Sequence, residues 1–107
     1  MDFASGPLAF RRLDTTHQVW GTSLKILYAA HVASQWHAKQ RRKGADREPY
    51  INHLLEVAHL VAAAGAAEDV ICAALLHDAI EDQRITATRI SREFGSDIAA
   101  LVLRAYR

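Results

Sequence analysis

Hydrophobic residues between positions 24 and 36 recur every three or four residues, which is the spacing of one face of an α-helix. They are Leu24, Leu27, Tyr28, Val32 and Trp36, with alanines between them. Ser23 is placed to cap the first turn of this helix. Because cations stabilise a helix C-terminus and glycine ends one, we expect the helix to run through the basic residues 39–43 and to stop at Gly44.

The next two apolar segments predict the helices that fill the core. The first begins near Asn52 and ends at Gly65, with leucine, valine and alanine at helical spacing between them. The second, residues 70–80, is apolar almost all round and follows Glu68 and Asp69, which favour a first helical turn. We therefore expect residues 70–80 to form the most buried helix of the protein.

Two shorter helices complete the pattern. Thr86 can cap one that ends at Gly95, and Ser96 can cap another that continues along residues 97–107. No segment alternates with the period of two that is typical of a strand. The chain is therefore predicted to be an all-α bundle of about five helices. Residues 1–22 would form an N-terminal arm, and residues 23–107 would form the domain.

Composition narrows the class of protein. The 107 residues are 50% hydrophobic and 23% charged, with a formal net charge of +1, so the chain is globular and has no overall positive field for DNA. No apolar stretch is long enough to span a bilayer, and no secretory signal opens the chain. The single cysteine, Cys72, lies in an apolar run and is interpreted as a core residue. We expect a soluble cytoplasmic protein that binds neither DNA nor a membrane.

Four ionisable residues at the end of the segment 70–80 carry the strongest chemical signal: His77, Asp78, Glu81 and Asp82. On a helix, residues four apart share a face. The pair His77 and Glu81 and the pair Asp78 and Asp82 should therefore converge on one site. Three carboxylates in the last turns of a helix oppose its dipole, which indicates that a positive group offsets them. A divalent cation would do so, since imidazole and carboxylate suit Mn²⁺, Fe²⁺ or Zn²⁺. A core histidine beside acids neutralised by Arg84 would fit the same spacing.

Five motifs in a fixed order give the chain a resemblance to a known family. They are Gln40-Arg41-Arg42-Lys43-Gly44, Pro49-Tyr50-Ile51-Asn52-His53, Val57-Ala58, the segment 73–82 that contains His77-Asp78 and Glu81-Asp82, and Phe94-Gly95. Together they resemble the HD-domain alarmone hydrolases. These are the hydrolase half of the RelA/SpoT proteins and their small stand-alone relatives of the metazoan SpoT-homologue type. The resemblance covers about residues 23–103 and implies an all-α HD domain.

The resemblance also implies a metal site and a reaction. In this family a divalent ion, usually Mn²⁺, is bound by residues that match His53, His77 and Asp78. A Glu-Asp pair that orients and activates the attacking water matches Glu81 and Asp82. The implied reaction is hydrolysis of the 3′-diphosphate of guanosine tetra- or pentaphosphate, with release of pyrophosphate. The chain would then be a metal-dependent phosphohydrolase.

On the substrate side, the resemblance implies that Arg42 and Lys43 lie beside the guanosine nucleotide, with Tyr50 close to the site. An arginine can pair with phosphate or stack on a base, and a lysine supplies a point charge. The basic cluster could instead bind RNA or phosphate, although it lacks interleaved aromatic residues. His37 is interpreted as a partly buried structural residue, at a position where the family often has histidine.

The C-terminal side departs from the family pattern. The family's last metal ligand is an aspartate on a later helix. The only aspartate after Asp82 in this sequence is Asp97, which is better placed to serve a helix N-terminus. The last helix reaches Arg107 without a stop signal, so we expect a C-terminally shortened relative that forms a homo-oligomer. The alternative function is a catalytically degenerate HD domain that binds a nucleotide or a protein partner without turnover.

Overall fold

The structure, a computed structural model, describes residues 18–44 and 46–106. This part of the chain forms six helices: α1 (Gln18–Trp36), α2 (Tyr50–Ala63), α3 (Glu68–Leu76), α4 (Ala79–Gln83), α5 (Ala87–Phe94) and α6 (Ser96–Tyr106). Within the described ranges the only β-structure is an isolated bridge between Arg41 and Pro49. The all-α prediction is confirmed. No helix of the described part is both long and apolar enough to cross a membrane.

The predicted N-terminal arm falls partly outside the described residues. Residues 1–17 are not described, whereas residues 18–22 belong to α1. Ser23 therefore lies inside the helix, and the prediction that it caps the first turn is wrong. The helical spacing of hydrophobic residues begins at Leu24, so this pattern did not predict that residues 18–22 are helical.

Helix α3 lies at the centre of the bundle and packs against α1, α2 and α6. Four of its nine residues are buried: Cys72, Ala73, Leu75 and Leu76. Buried side chains of these helices and of α5 belong to the same cluster, among them Ala29, Val32, Ala58, Ile90, Ile98 and Val102. Burying one leucine-sized side chain contributes about 1.5–3 kcal/mol, so this cluster is the main source of stability. The central position predicted for this segment is confirmed.

Helix α1 ends at Trp36, and the prediction that it continues to Gly44 is wrong. After His37 the chain turns, and the loop between positions 40 and 50, described at residues 40–44 and 46–50, has two ends that bond to each other. The amide of Arg42 donates to the carbonyl oxygen of Glu48 (2.9 Å), and the amide of Tyr50 donates to that of Gln40 (2.8 Å). These bonds between the two ends satisfy backbone groups that a continued helix would have paired internally.

Helix α2 ends at Ala63, and Gly65, the predicted stop residue, follows the cap residue Ala64. Gly65 has a φ of +94°, a conformation that glycine adopts without a steric penalty. Its amide donates to the carbonyl oxygen of Ala62 (3.0 Å), and the amide of Ala66 donates to that of Val61 (3.1 Å). This pair of bonds is the Schellman motif, which stops a helix and turns the chain. The turn sets α3 against α2.

The segment 70–80 is not one helix, because α3 ends at Leu76 and α4 begins at Ala79. His77 and Asp78 occupy the break between them. The ring of His77 takes part in it: Nδ1 lies 2.8 Å from the carbonyl oxygen of Ala74, which in a continuous helix would accept from the amide of Asp78. The predicted continuous helix is therefore wrong, and the break exposes the two residues with metal-binding chemistry.

The last two helices follow the sequence prediction closely. The hydroxyl oxygen of Thr86 accepts a bond from the amide of Arg89 (3.0 Å), which confirms the predicted cap of α5. Gly95 ends that helix with a φ of +97°. Its carbonyl oxygen also accepts from the amide of Ala99 (3.2 Å), so α6 begins immediately after Gly95. Ser96 is the first helical residue of α6, and the prediction that Ser96 caps this helix is wrong.

Candidate active site

The site is built around His77 and Asp78, in the break between α3 and α4. A carbonyl oxygen can only accept, so Nδ1 of His77 must carry the hydrogen that it shares with Ala74. Nε2 lies 2.9 Å from Oδ1 of Asp78, and the two side chains are 25% and 23% exposed. The pair is therefore ordered by the backbone yet open to solvent.

This pair fits a metal ion by the chemistry of its donors. With its hydrogen on Nδ1, His77 turns Nε2 toward Oδ1 of Asp78, and an imidazole nitrogen beside a carboxylate oxygen is a donor set that suits a divalent transition metal. Metal-binding histidines commonly donate their other ring N–H to a carbonyl oxygen, as His77 does to Ala74. Within the described ranges, however, no group of three His, Cys, Asp or Glu side chains is arranged to hold a metal.

Tyr50 connects Asp78 to the start of α2. Its hydroxyl donates to Oδ2 of Asp78 at 2.5 Å, so the two carboxylate oxygens have different partners. Burial, the hydrogen bond to Asp78 and the negative charges of Asp78 and Asp82 raise the pKa of Tyr50 well above its ordinary value, and Arg42 opposes the rise. The phenol therefore remains protonated and remains a donor.

His53 lies one turn after Tyr50 on α2 and is half-buried. Its ring meets the ring of Tyr50 edge to face, with 5.4 Å between the centroids. The structure does not join His53 to His77 and Asp78 in one ligand group, so Tyr50 is the link between them. The assignment of His53 as a metal ligand stays a prediction.

Glu81 and Asp82 lie on α4, and both are exposed. The amide of Asp82 donates to the carbonyl oxygen of Asp78 (2.9 Å), so the first turn of α4 joins Asp82 to Asp78. Oδ2 of Asp82 accepts from Nε2 of Gln40 (3.1 Å). The catalytic roles assigned to Glu81 and Asp82 stay predictions.

A polar network behind the site was missed by the sequence reasoning. His37 is only 1% exposed, so it is more deeply buried than the predicted partial burial. Its Nδ1 lies 2.6 Å from Oε1 of Gln40, and Nε2 of Gln83 donates to the same oxygen (2.8 Å). The three-residue spacing of His37 and Gln40 was the available signal, whereas the contact with Gln83 joins residues 43 positions apart.

Arg42 and Lys43 are exposed in the loop 40–50. They line a surface depression of about 230 Å³ together with Gly44, Asp46, Arg47 and Glu48. Its charges are mixed, with three cations and two carboxylates among the lining residues. Arg42 influences the pKa of Tyr50, which places the positive charge of the loop within electrostatic reach of the site.

An apolar groove of about 270 Å³ borders the site on its other side. It lies between α3 and α6, and its lining residues are Val70, Ala73, Ala74, His77, Leu101 and Ala105. His77 therefore borders both Asp78 and this groove. Leu103, also on α6, is 42% exposed.

Sequence comparison assigns the chain to a class. The model of the HD domain family matches residues 29–107, a range that contains all the predicted site residues. That range includes the histidine and aspartate at the break between α3 and α4. The chain belongs to the HD-domain family, in the group that contains (p)ppGpp hydrolases.

Individual relatives define that group. The chain is 44% identical over 79 residues to guanosine-3′,5′-bis(diphosphate) 3′-pyrophosphohydrolase MESH1 of Xenopus tropicalis, covering 72% of this chain and 44% of the relative. It is 45% identical over 74 residues to a probable GTP pyrophosphokinase of Mycobacterium leprae, covering 69% of this chain and 9% of the relative. The chain thus spans less than half the length of both.

A solved structure agrees with this assignment. It is described as a metazoan ortholog of SpoT that hydrolyzes ppGpp and plays a role in starvation responses. The match has a TM-score of 0.69 at 36% identity and covers 74% of this chain and 46% of the other. The fold expected from the family resemblance is therefore confirmed.

Proposed function

We propose that this protein is a metal-dependent phosphohydrolase that releases pyrophosphate from the 3′-diphosphate of guanosine tetra- or pentaphosphate. The observation that carries the proposal is the convergence of Nε2 of His77 and Oδ1 of Asp78 at the helix break. The names of its relatives support the choice of substrate. A guanosine nucleotide is therefore the proposed partner. The single buried cysteine is compatible with the reducing cytoplasm proposed as its location.

His53, His77 and Asp78 would hold a divalent transition metal ion, with Mn²⁺ as the proposed cofactor. When bound, such an ion makes a water molecule more acidic and stabilises negative charge on phosphoryl oxygens. Tyr50 orients Asp78 by holding Oδ2, which leaves Oδ1 directed at His77. The bond from His77 to Ala74 keeps the lone pair of Nε2 available.

Glu81 and Asp82 would act on the attacking water. Both carboxylates lie on the short helix that follows the metal-binding pair, and either can accept a proton as water attacks the phosphorus atom. The bond that breaks joins the 3′ oxygen of the ribose to the diphosphate, so pyrophosphate and GDP or GTP are the products. Asp82 is held at one oxygen by Gln40, and its other oxygen is available to water.

Arg42 and Lys43 would bind the nucleotide. Both are exposed at the depression in the loop 40–50, where cations can meet phosphate groups without first breaking a buried ion pair. Binding through these exposed charges should weaken as salt increases. Substituting either residue by alanine should therefore reduce affinity for the nucleotide and leave folding stability nearly unchanged.

Product identification tests this function. Guanosine 3′,5′-bis(diphosphate) is incubated with the protein and Mn²⁺, and GDP, pyrophosphate and orthophosphate are separated and quantified. We expect equal amounts of GDP and pyrophosphate. Asp97→Asn serves as a control that removes an exposed carboxylate outside the site. Nucleotide binding without product would support the non-catalytic alternative, and orthophosphate as the first product would indicate a different phosphohydrolase.

A further inference from the structure

We infer that Gln40 is a positioning residue. It fixes the carboxylate of Asp82 and is itself held by the buried ring of His37. The inference rests on the proposed function, in which Asp82 acts on the attacking water. Gln40 lies in the loop after α1, far in sequence from the metal-binding pair. Its contacts nevertheless reach His37 just after α1, the start of α2, and α4.

Every polar atom of the Gln40 side chain has a partner. Nε2 donates to Oδ2 of Asp82 (3.1 Å). Oε1 accepts from Nε2 of Gln83 (2.8 Å) and lies 2.6 Å from Nδ1 of His37. The backbone carbonyl oxygen of Gln40 accepts from the amide of Tyr50 (2.8 Å), the residue that holds Asp78. One glutamine therefore contacts a proposed catalytic carboxylate and supports the residue that orients a proposed ligand.

These partners allow only one orientation of the amide group. A carboxylate accepts hydrogen bonds and does not donate, so the NH₂ group must face Asp82. The amide oxygen then faces two donors, which means that Nδ1 of His37 carries a hydrogen. Turning the amide over would direct its oxygen at the carboxylate and its NH₂ group at the amide of Gln83. The contact with Asp82 thus determines the orientation, and His37 and Gln83 then act as donors to the amide oxygen.

His37 anchors this arrangement in the protein interior. Its side chain is buried, and its ring lies against the ring of Tyr50 with 5.3 Å between the centroids. Nε2 of His37 is buried without a hydrogen-bond partner, which lowers stability compared with an apolar side chain of similar shape. Stability alone therefore does not explain a histidine here, whereas a rigid donor for Gln40 does.

Asp82 needs such an anchor because its own helix provides little rigidity. Helix α4 has five residues, and helices this short are marginal without tertiary contacts. The side chain of Asp82 is also exposed, so its carboxylate would otherwise rotate in solvent. The bond from Gln40 fixes one oxygen and thereby sets the direction of the other, as positioning for proton transfer requires.

The substitution Gln40→Glu separates positioning from simple structural support. Glutamate keeps an acceptor for His37 and Gln83 but places a second carboxylate against Asp82, so only that contact is lost. We expect kcat to fall by about tenfold or more, KM to change by less than about threefold, and the melting temperature to stay close to that of the wild type. Gln35→Glu, with the same charge change at an exposed position of α1, should retain wild-type kcat.

A double-mutant cycle tests whether the effect passes through Asp82. In an Asp82→Asn background, adding Gln40→Glu should cause little further loss, because both substitutions act on the same carboxylate. Independent, additive losses would overturn the inference. So would wild-type kcat in Gln40→Glu, or a loss of melting temperature large enough to account for the lost activity.

Failure of the inference can be distinguished from failure of the proposed function. An inactive wild-type protein would overturn the proposed function and the positioning role of Gln40 together, whereas an active wild type with an unaffected Gln40→Glu variant would overturn the inference alone.

The ring nitrogens of His37, observed by ¹⁵N NMR in the full chain without nucleotide, test the amide orientation directly. We expect a hydrogen on Nδ1 in the wild type and loss of this fixed state in Gln40→Met. A wild-type ring protonated only at Nε2 would contradict the arrangement.

Discussion

Asp78 illustrates how one carboxylate can be divided between two tasks. Oδ1 faces His77 and Oδ2 accepts from Tyr50, so the orientation of the group is determined before a metal arrives. Pre-arranged ligands lose less conformational freedom when an ion binds. At this scale, Tyr50 is the residue whose contribution can be measured most simply, because removing its hydroxyl leaves the ring packing in place.

Tyr50→Phe should weaken the site without unfolding the protein. A hydrogen bond to a charged group contributes about 1.5–3 kcal/mol, so we expect kcat/KM to fall by about tenfold or more and the affinity for Mn²⁺ to fall with it. Calorimetric titration and steady-state kinetics measure the two effects. Tyr28→Phe is the matched control, since its exposed hydroxyl donates to Glu93 (3.3 Å) away from the site. Equal losses in both variants would contradict the role of Tyr50.

Cys72 gives a prediction about pH. Burial, with a smaller contribution from Glu68, raises the pKa of its thiol from 9.0 to about 11. The folded state therefore favours the neutral thiol, and the resulting stability is fully present below pH 9 and is lost as the pH rises through 11. Urea unfolding should show that wild type loses stability relative to Cys72→Ala over this range. A constant difference between the two proteins would contradict the prediction.

At the scale of elements, local signals in the sequence predicted the helices better than their ends. Thr86 and Gly65 act through neighbouring residues, so their cap and stop were predicted correctly. The end of α1 was not, because the loop that replaces it is closed by a bond between Gln40 and Tyr50, ten residues apart. The break at His77 depends on a side chain competing for a helical carbonyl, which hydrophobic spacing does not report.

The sequence likewise predicted only part of the candidate site. The motif around His77 and Asp78 was visible in the sequence, and the structure brings these two residues together. The network of His37, Gln40 and Gln83 was not predicted, because its contacts join α4 to a loop that the sequence had assigned to helix. Spacing along one helix can pair residues, but it cannot report a partner from a distant loop.

Thr86→Ala tests the energetic importance of the cap on α5. Loss of an N-cap hydroxyl costs about 0.5–2 kcal/mol, and we expect a fall of that size in the free energy of unfolding measured with urea. Thr88→Ala, at an exposed position in the same helix, should change it by less than about 0.5 kcal/mol. Turnover at low temperature should be unchanged in both variants, because α5 carries none of the proposed catalytic residues.

At the scale of the whole molecule, several large apolar side chains remain on the surface. Leu27 is 65% exposed on α1, and Leu60 is 60% exposed on α2. Apolar surface of this kind favours association in water. The homo-oligomer expected from the sequence stays a prediction, and light scattering at two protein concentrations would measure it. We expect a mass of at least two chains, and a monomer at both concentrations would contradict the expectation.

The central claim is that the His77–Asp78 pair supports metal-dependent release of pyrophosphate. The most direct test follows turnover of guanosine 3′,5′-bis(diphosphate) as Mn²⁺ is added to metal-free protein, with wild type, Asp78→Asn and Asp97→Asn measured side by side. We predict that pyrophosphate release rises with Mn²⁺ in wild type and Asp97→Asn and is reduced by at least about 100-fold in Asp78→Asn. Folded wild-type protein that releases no pyrophosphate at any Mn²⁺ concentration, or an Asp78→Asn variant as active as wild type, would contradict the account.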